Sequence, residues 1–162
     1  MQRSTERMED EVPELSHADH SVIPPRITIP REYNAAHDLL ERNLRAGRAA
    51  KPAFIDDAGS LTYGALAQRV DAFAHGLKAL GLRMEDRVLL CLHDTVDFPT
   101  AFLGAIKAGI VPIAANTLLT AADYEYMLRD SRARALIVSA PLLATFAPLL
   151  PRLPFLEHVI VS

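Results

Sequence analysis

The sequence predicts an α/β fold: a mostly parallel sheet with flanking helices. Three features lead there. From residue 64 onward, helix-like and strand-like segments alternate, the rhythm of helices packed on a parallel sheet. RVLLCLH and ALIVS are continuous apolar runs, as strands buried on both faces require. GALAQRVDAFAHGLKALG sets Leu66, Val70, Phe73, Leu77 and Leu80 at spacings of four and three on one helical face, and Gly81 stands where a helix-ending glycine belongs. Crossovers between successive parallel strands are expected to be right-handed.

The elements follow in order. Residues 1–30 form the lead-in. MQRSTERMEDEVPELSHADH is polar, charged and without the apolar core of a secretory signal, and is expected to lack fixed structure. The prolines of VIPPRITIP favour an extended chain. Order is expected from near Tyr33, and residues 31–162 are read as one folded unit. YNAAHDLLERNLRAG reads as a helix capped by Asn34, with a thin stripe of Leu39, Leu40 and Leu44, ended by Gly47. PAFIDDAGSLTY reads as a hairpin, its short β-prone runs joined by turn residues.

After the long helix and RVLLCLH, DTVDFPTAFLGAIKAG should be helical. Asp94 or Thr95 is available as cap, and Pro99 is tolerable near the first turn, where amides lack internal partners. IVPIAA is a short strand. TAADYEYMLRDS is a helix with a capping-box pattern, Thr120 and Asp123, although Glu or Gln is usual at the second position. APLLATFAPLL reads as a helix carrying Leu142, Leu143, Phe146, Leu149 and Leu150, and HVIVS as a last strand. No internal repeat or low-complexity tract is evident.

GAIKAGIVPIAANTLLT, from Gly104 to Thr120, is apolar enough to raise the question of a membrane span. Lys107 near its middle costs about 2.5–3.5 kcal/mol on insertion scales, and Pro112 and Asn116 add to that. A phosphate loop needs several convergent backbone amides, whereas these glycines are five residues apart with helix formers between. The remaining reading is a helix that ends near Gly109 and turns directly into a buried strand. Lys107 then sits at the negative end of the helix in a structural role.

Composition narrows the function classes. The chain has 162 residues, half of them apolar, and a formal charge of −3. There is no basic field for nucleic acid or an anionic membrane. A single cysteine, Cys91, excludes an intrachain disulfide and fits a reducing, cytoplasmic setting.

Residues that could carry chemistry are scattered. His17 and His20 lie in the lead-in and make too few ligands for zinc, so no metal site is read. His93 follows a buried strand, without a visible partner. Cys91 lies inside an apolar run and reads as core. Asp56 and Asp57 sit in turn sequence and read as turn formers rather than an acid–base pair. Asn116 and Thr117 follow a strand at the carboxyl end of the sheet, where α/β folds place ligands; simple turn chemistry competes with that reading. No G-x-G-x-x-G, G-x-S-x-G or Gly-Lys-Ser/Thr loop is present. The residues alone give an α/β domain without an identifiable active site.

LTYGAL at Leu61–Leu66 and AIKAGIVPI at Ala105–Ile113 resemble the first ordered motifs of the adenylate-forming superfamily, which includes acyl- and aryl-CoA ligases. PREYNAAHDLLERNL, KPAFIDDAG, DFPTAFLGAIKAGIVPIAANTLLT and DYEYMLRDSRA resemble the opening of the benzoate–CoA ligase group within it, a similarity reaching from Pro30 to Ser162. The resemblance implies the N-terminal part of an adenylate-forming domain. It also implies a two-step reaction: ATP converts an aromatic carboxylate to an acyl-adenylate with loss of pyrophosphate, then the thiol of CoA displaces AMP. Magnesium and a lysine would offset charge in the first step. The family's phosphate loop, ribose-holding acid, aromatic-acid pocket and late lysine have no matching positions here. No catalytic, cofactor-binding or metal-binding residue is therefore carried over, and the chain is expected to be an inactive N-terminal fragment of a protein several times as long. Asn116 and Thr117 remain as the substrate-side loop. A non-catalytic α/β binding or assembly module is the alternative, and another acyl-CoA ligase the alternative within the family.

Overall fold

The computed structural model describes residues 14–162. The elements run β1 (His17–Asp19), β2 (Arg26–Thr28), α1 (Ala35–Arg45), β3 (Pro52–Asp56), β4 (Gly59–Thr62), α2 (Tyr63–Ala79), β5 (Arg87–Cys91), α3 (Asp97–Lys107), β6 (Val111–Ala114), α4 (Ala121–Asp130), β7 (Ala135–Val138), α5 (Leu143–Phe146) and β8 (His158–Val161). The central sheet has the order β6-β5-β7-β8, with every pairing parallel. β5 aligns Leu90 with Ala114 of β6 and with Ile137 of β7. The mostly parallel sheet with flanking helices is thus present.

Alternation along β5 builds both faces of the sheet. Val88 and Leu90 point to one side, where they pack with Leu77 of α2 and Ala101 and Ala105 of α3. Leu89 and Cys91 point to the other, against Tyr124 and Leu128 of α4 and Phe146 of α5. Both faces are covered, which is why the strand shows no polar alternation. A third layer lies outside α2 and α3, where Leu40 of α1 and Leu61 of the β3–β4 hairpin pack on Leu66, Val70 and Leu103.

Helix termini follow from local chemistry. The Asn34 side chain accepts from the His37 amide at 3.0 Å and starts α1. Thr120 and Asp123 complete a reciprocal capping box, so the shorter Asp reaches as Glu would. At the end of α3, Gly109 adopts φ 77°, a conformation that costs other residues about 1–2 kcal/mol and lets the chain turn at once into β6. Lys107 is the last residue of α3 and forms an ion pair with Asp71 of α2. No helix among the described residues is long and apolar enough to cross a membrane.

Four expectations need correction. Of the lead-in expected to lack structure, residues 14–30 carry the antiparallel pair β1–β2; residues 1–13 lie outside the described residues. Of the two caps expected for α3, Asp94 is not used, and Thr95 Oγ1 accepts from the Asp97 amide only at a long 3.4 Å. The residue at the cap is Val96, and its amide donates to Asp56 Oδ2 at 2.9 Å, from the hairpin turn. The segment from Ala140 to Leu150 is not one helix but a 3-10 turn, the single turn α5, and a second 3-10 turn at Leu150–Arg152. Pro148 and Pro151 lack the amides that would continue it. Finally, Leu39 and Leu80 lie 48% and 41% exposed, at the margins of their stripes, while Asp38 is buried in α1.

Candidate functional site

A parallel sheet gathers its functional loops at the carboxyl ends of the strands. Here those loops are 92–96 after β5, 115–120 after β6 and 139–142 after β7. The order β6-β5-β7-β8 puts the change of winding direction between β5 and β7. Ser139 closes that point. Its amide donates to the Cys91 carbonyl at 3.1 Å, and its hydroxyl accepts from the His93 amide at 3.1 Å. The His93 ring is exposed.

Asn116 and Thr117 both lie in the loop after β6, as expected. Asn116 Oδ1 accepts from the Leu118 amide at 2.8 Å, a local turn, and the Asn116 carbonyl accepts from the Tyr124 hydroxyl at 2.7 Å. Thr117 is half-buried, and the neighbouring Leu118 stands almost fully exposed. Tyr124 is the residue that sequence reasoning missed. It is buried from the far side of the sheet, yet its hydroxyl holds this loop. Burial pushes its phenol up to about 12, with a contact to Cys91 Sγ at 3.5 Å adding to the shift. Burial likewise pushes the Cys91 thiol up, which suits a core residue and not a nucleophile.

The loop chemistry does not suit a polyphosphate. Phosphate binding requires backbone amides free to converge on an anion. The amides of His93, Thr95, Val96, Leu118, Thr120 and Asp123 already donate within the chain. None of the three loops carries a lysine or arginine. Among the described residues, no three or more His, Cys, Asp or Glu side chains gather into a metal-ligating group. His17 lies in β1, and Asp56 makes turn and capping contacts to the amides of Ala58, Gly59 and Val96. Without a lysine or arginine, the three loops offer no cationic side chain to a polyphosphate.

The amino end of the sheet is built differently. Arg134, before β7, pairs with Asp86, before β5, at 2.6 Å and with Glu157, before β8. Hydrogen bonds to the Glu157 and Asp86 carboxylates hold the Arg134 guanidinium firmly protonated. Ion pairs thus lock one end of the sheet, while the loops at the other carry no lysine or arginine and a single carboxylate, Asp94.

Residues 40–162 match the AMP-binding enzyme family, most of the chain. The chain belongs to that family. It is 60% identical over 149 residues to a benzoate–CoA ligase of Thauera aromatica, an alignment covering 91% of this chain and 28% of that protein. It is 47% identical over 130 residues to a 4-hydroxybenzoate–CoA/benzoate–CoA ligase of Rhodopseudomonas palustris, covering 80% and 24%. Among solved structures, a benzoate CoA ligase from Burkholderia xenovorans LB400 superposes with a TM-score of 0.75 at 48% identity, over 80% of this chain and 26% of that one. An anthranilate CoA ligase in complex with anthranoyl-AMP gives 0.79 at 38% identity, over 83% and 26%. The chain therefore spans about a quarter of the length of these relatives. The AMP-binding family membership agrees with the layered α/β fold.

Proposed function

We propose that this chain is the N-terminal part of an ATP-dependent aryl-acid–CoA ligase, with benzoate as the favoured acid. The 60% identity to the Thauera benzoate–CoA ligase carries this reading. The overall reaction is benzoate, ATP and CoA to benzoyl-CoA, AMP and pyrophosphate, through benzoyl-adenylate, and its place is the degradation of aromatic acids. Activation is needed because a carboxylate is a poor electrophile and oxide a poor leaving group. ATP, CoA and Mg2+ belong to the complete protein, where Mg2+ would offset phosphate charge. Residues 31–162 serve as the first portion of the AMP-binding domain. Their contribution is positional: a sheet locked at its amino end by Arg134, with its carboxyl-end loops directed to the substrate side. Asn116 and Thr117 are the residues of this chain assigned to that side, supported by their place at the end of β6. A cytoplasmic setting is supported by the lone, buried Cys91.

The test is a ligase assay on the polypeptide as its native source makes it, after its intact mass is measured. Thioester formation is followed with benzoate, 4-hydroxybenzoate, 3-hydroxybenzoate and a long-chain fatty acid, each with ATP, Mg2+ and CoA. Benzoyl-CoA formation by the complete protein, and none by residues 1–162, is the expected result. A strong preference for the fatty acid would overturn the substrate assignment in favour of another acyl-CoA ligase. A native mass near 17.8 kDa without activity would favour the second reading, a non-catalytic binding or assembly module. The lack of any lysine or arginine in the three carboxyl-end loops is the observation that favours that reading.

A further inference from the structure

We propose that residues 14–30 form a strap fastened to the domain at a single point, the Ser16–Asp38–Arg42 clasp, and able to detach there without unfolding α1. The hydrogen-bond pattern carries this. Among the described residues, every hydrogen bond from residues 14–30 to the rest of the chain passes through Ser16. Its amide and hydroxyl donate to Asp38 Oδ2 at 3.1 and 2.5 Å, and its carbonyl and hydroxyl accept from Arg42 Nη2 at 2.6 and 3.1 Å. The other side-chain bonds of this segment join Ser21 to Asp19, inside the strap. β1 and β2 pair only with each other.

Burial points the same way. No residue of 14–30 belongs to any of the core clusters. All three residues of β2 are exposed, and Ile23, Ile27 and Ile29 are 99%, 59% and 58% exposed. Leu15, Ala18 and Pro30 are half-buried and none of the strap is fully buried, so it gains little from apolar burial, and a segment with few buried contacts opens at low free energy. The fastening is the opposite in character. Asp38 is 4% exposed and takes five hydrogen bonds: two from Ser16, one from the Tyr33 hydroxyl at 2.9 Å, and two from Arg42 at 3.1 and 2.7 Å. A buried carboxylate with its donors in place is a firm anchor for the segment that supplies two of them. On release, Tyr33 and Arg42 can still satisfy Asp38, because both belong to the domain side. Arg42 is half-exposed and can also turn to water. The domain thus closes its own polar account without the strap.

The experiment is limited trypsin digestion at Arg26 and Arg31, with hydrogen exchange read at the amides of α1. It uses the complete native-length protein, as wild type and as Ser16→Ala, Arg42→Ala and Asp38→Asn, and it does not depend on the ligase reading. Cleavage at Arg26 and Arg31 is expected to quicken about tenfold or more in Arg42→Ala and Asp38→Asn, with a smaller rise in Ser16→Ala, while exchange in α1 stays as in wild type. If Asp38→Asn fails to fold, Arg42→Ala decides, since that side chain sits at the surface. Cleavage rates unchanged within about twofold in all three variants would overturn the single-point fastening. Loss of α1 protection together with the strap would overturn its independence.

Discussion

The side-chain amide of Asn34 donates to the backbone carbonyl of Ile106 at 2.8 Å while its own oxygen accepts from the His37 amide. One residue thus caps the start of α1 and gives the Ile106 carbonyl at the end of α3 a second donor beside the Gly109 amide at 2.9 Å. It joins the outer layer to the Lys107–Gly109 joint that turns α3 into β6. Asn34→Ala should lose both interactions and cost about 1–3 kcal/mol. Asn34→Ser keeps the helix cap but cannot bridge, so it should recover only part of the loss. Urea unfolding of the three proteins measures the split. Equal stability of Asn34→Ser and wild type would show that the bridge to Ile106 contributes nothing.

Gly104 sits in mid-helix, where alanine is ordinarily the better residue by about 1 kcal/mol. Packing reverses that here. A Cβ on Gly104 would stand 2.9 Å from Phe73 Cδ1, 3.1 Å from Phe73 Cβ and 3.3 Å from the Val70 carbonyl oxygen. α2 and α3 approach closely because this position has no side chain. Gly104→Ala should therefore destabilise, by about 1–3 kcal/mol, as overpacked sites do. Adding Phe73→Ala should remove the 2.9 Å ring contact, though not those to the Cβ of residue 73 and the Val70 carbonyl, so the two substitutions together should be less damaging than the sum of each alone. Thermal unfolding of the double-mutant cycle reads this coupling, and strict additivity would sink it.

What the sequence disclosed divides along a physical line. Local signals were readable. The spacing of Leu66, Val70 and Leu77, the Asn34 cap and the Thr120–Asp123 box depend on neighbours within a turn or two, and all three stand in the structure. Contacts across the chain were not readable. The amide of Val96 is capped by Asp56, 40 residues earlier, so Asp94 and Thr95 looked better than they are. The lead-in has the composition of unstructured chain, but Asp38 holds it by a polar contact that composition does not register. In APLLATFAPLL the leucine spacing is helical, and proline geometry overrode it. The candidate site was legible only as a place, the loop of Asn116 and Thr117. Its hold by Tyr124 comes from a helix residue whose apolar spacing masks a polar task.

That hold can be tested directly. Tyr124→Phe removes the hydroxyl, keeps the ring against Phe146 at 4.5 Å between centroids, and leaves the Asn116 carbonyl to find water. A loss of about 0.5–1.5 kcal/mol is expected, the net worth of one such bond. The local effect should be larger than the global one: exchange of the Leu118 amide should quicken more than exchange in β5 or β7. Uniform acceleration at all these amides would mean that Tyr124 supports the core only and does not position the loop.

Among the carboxylates, Asp38 should contribute most to acid sensitivity. Burial alone would raise its carboxyl, but hydrogen bonds from Ser16, Tyr33 and Arg42 outweigh burial and hold it far below the ordinary carboxylate value. A depressed value in the folded state means that the unfolded chain binds the proton more readily. The stabilisation is then complete above the ordinary value of about 4 and falls away as pH drops below it. Asp86 is depressed in the same direction, with burial again opposed, by the Arg83 amide and Arg134. Between about pH 4 and pH 2, stability of the wild type should climb with pH, and Asp38→Asn should flatten part of that slope while leaving the part due to Asp86. Urea unfolding at a series of pH values measures both slopes. Identical slopes would mean that Asp38 titrates at its ordinary value and that Ser16 does not grip it in solution.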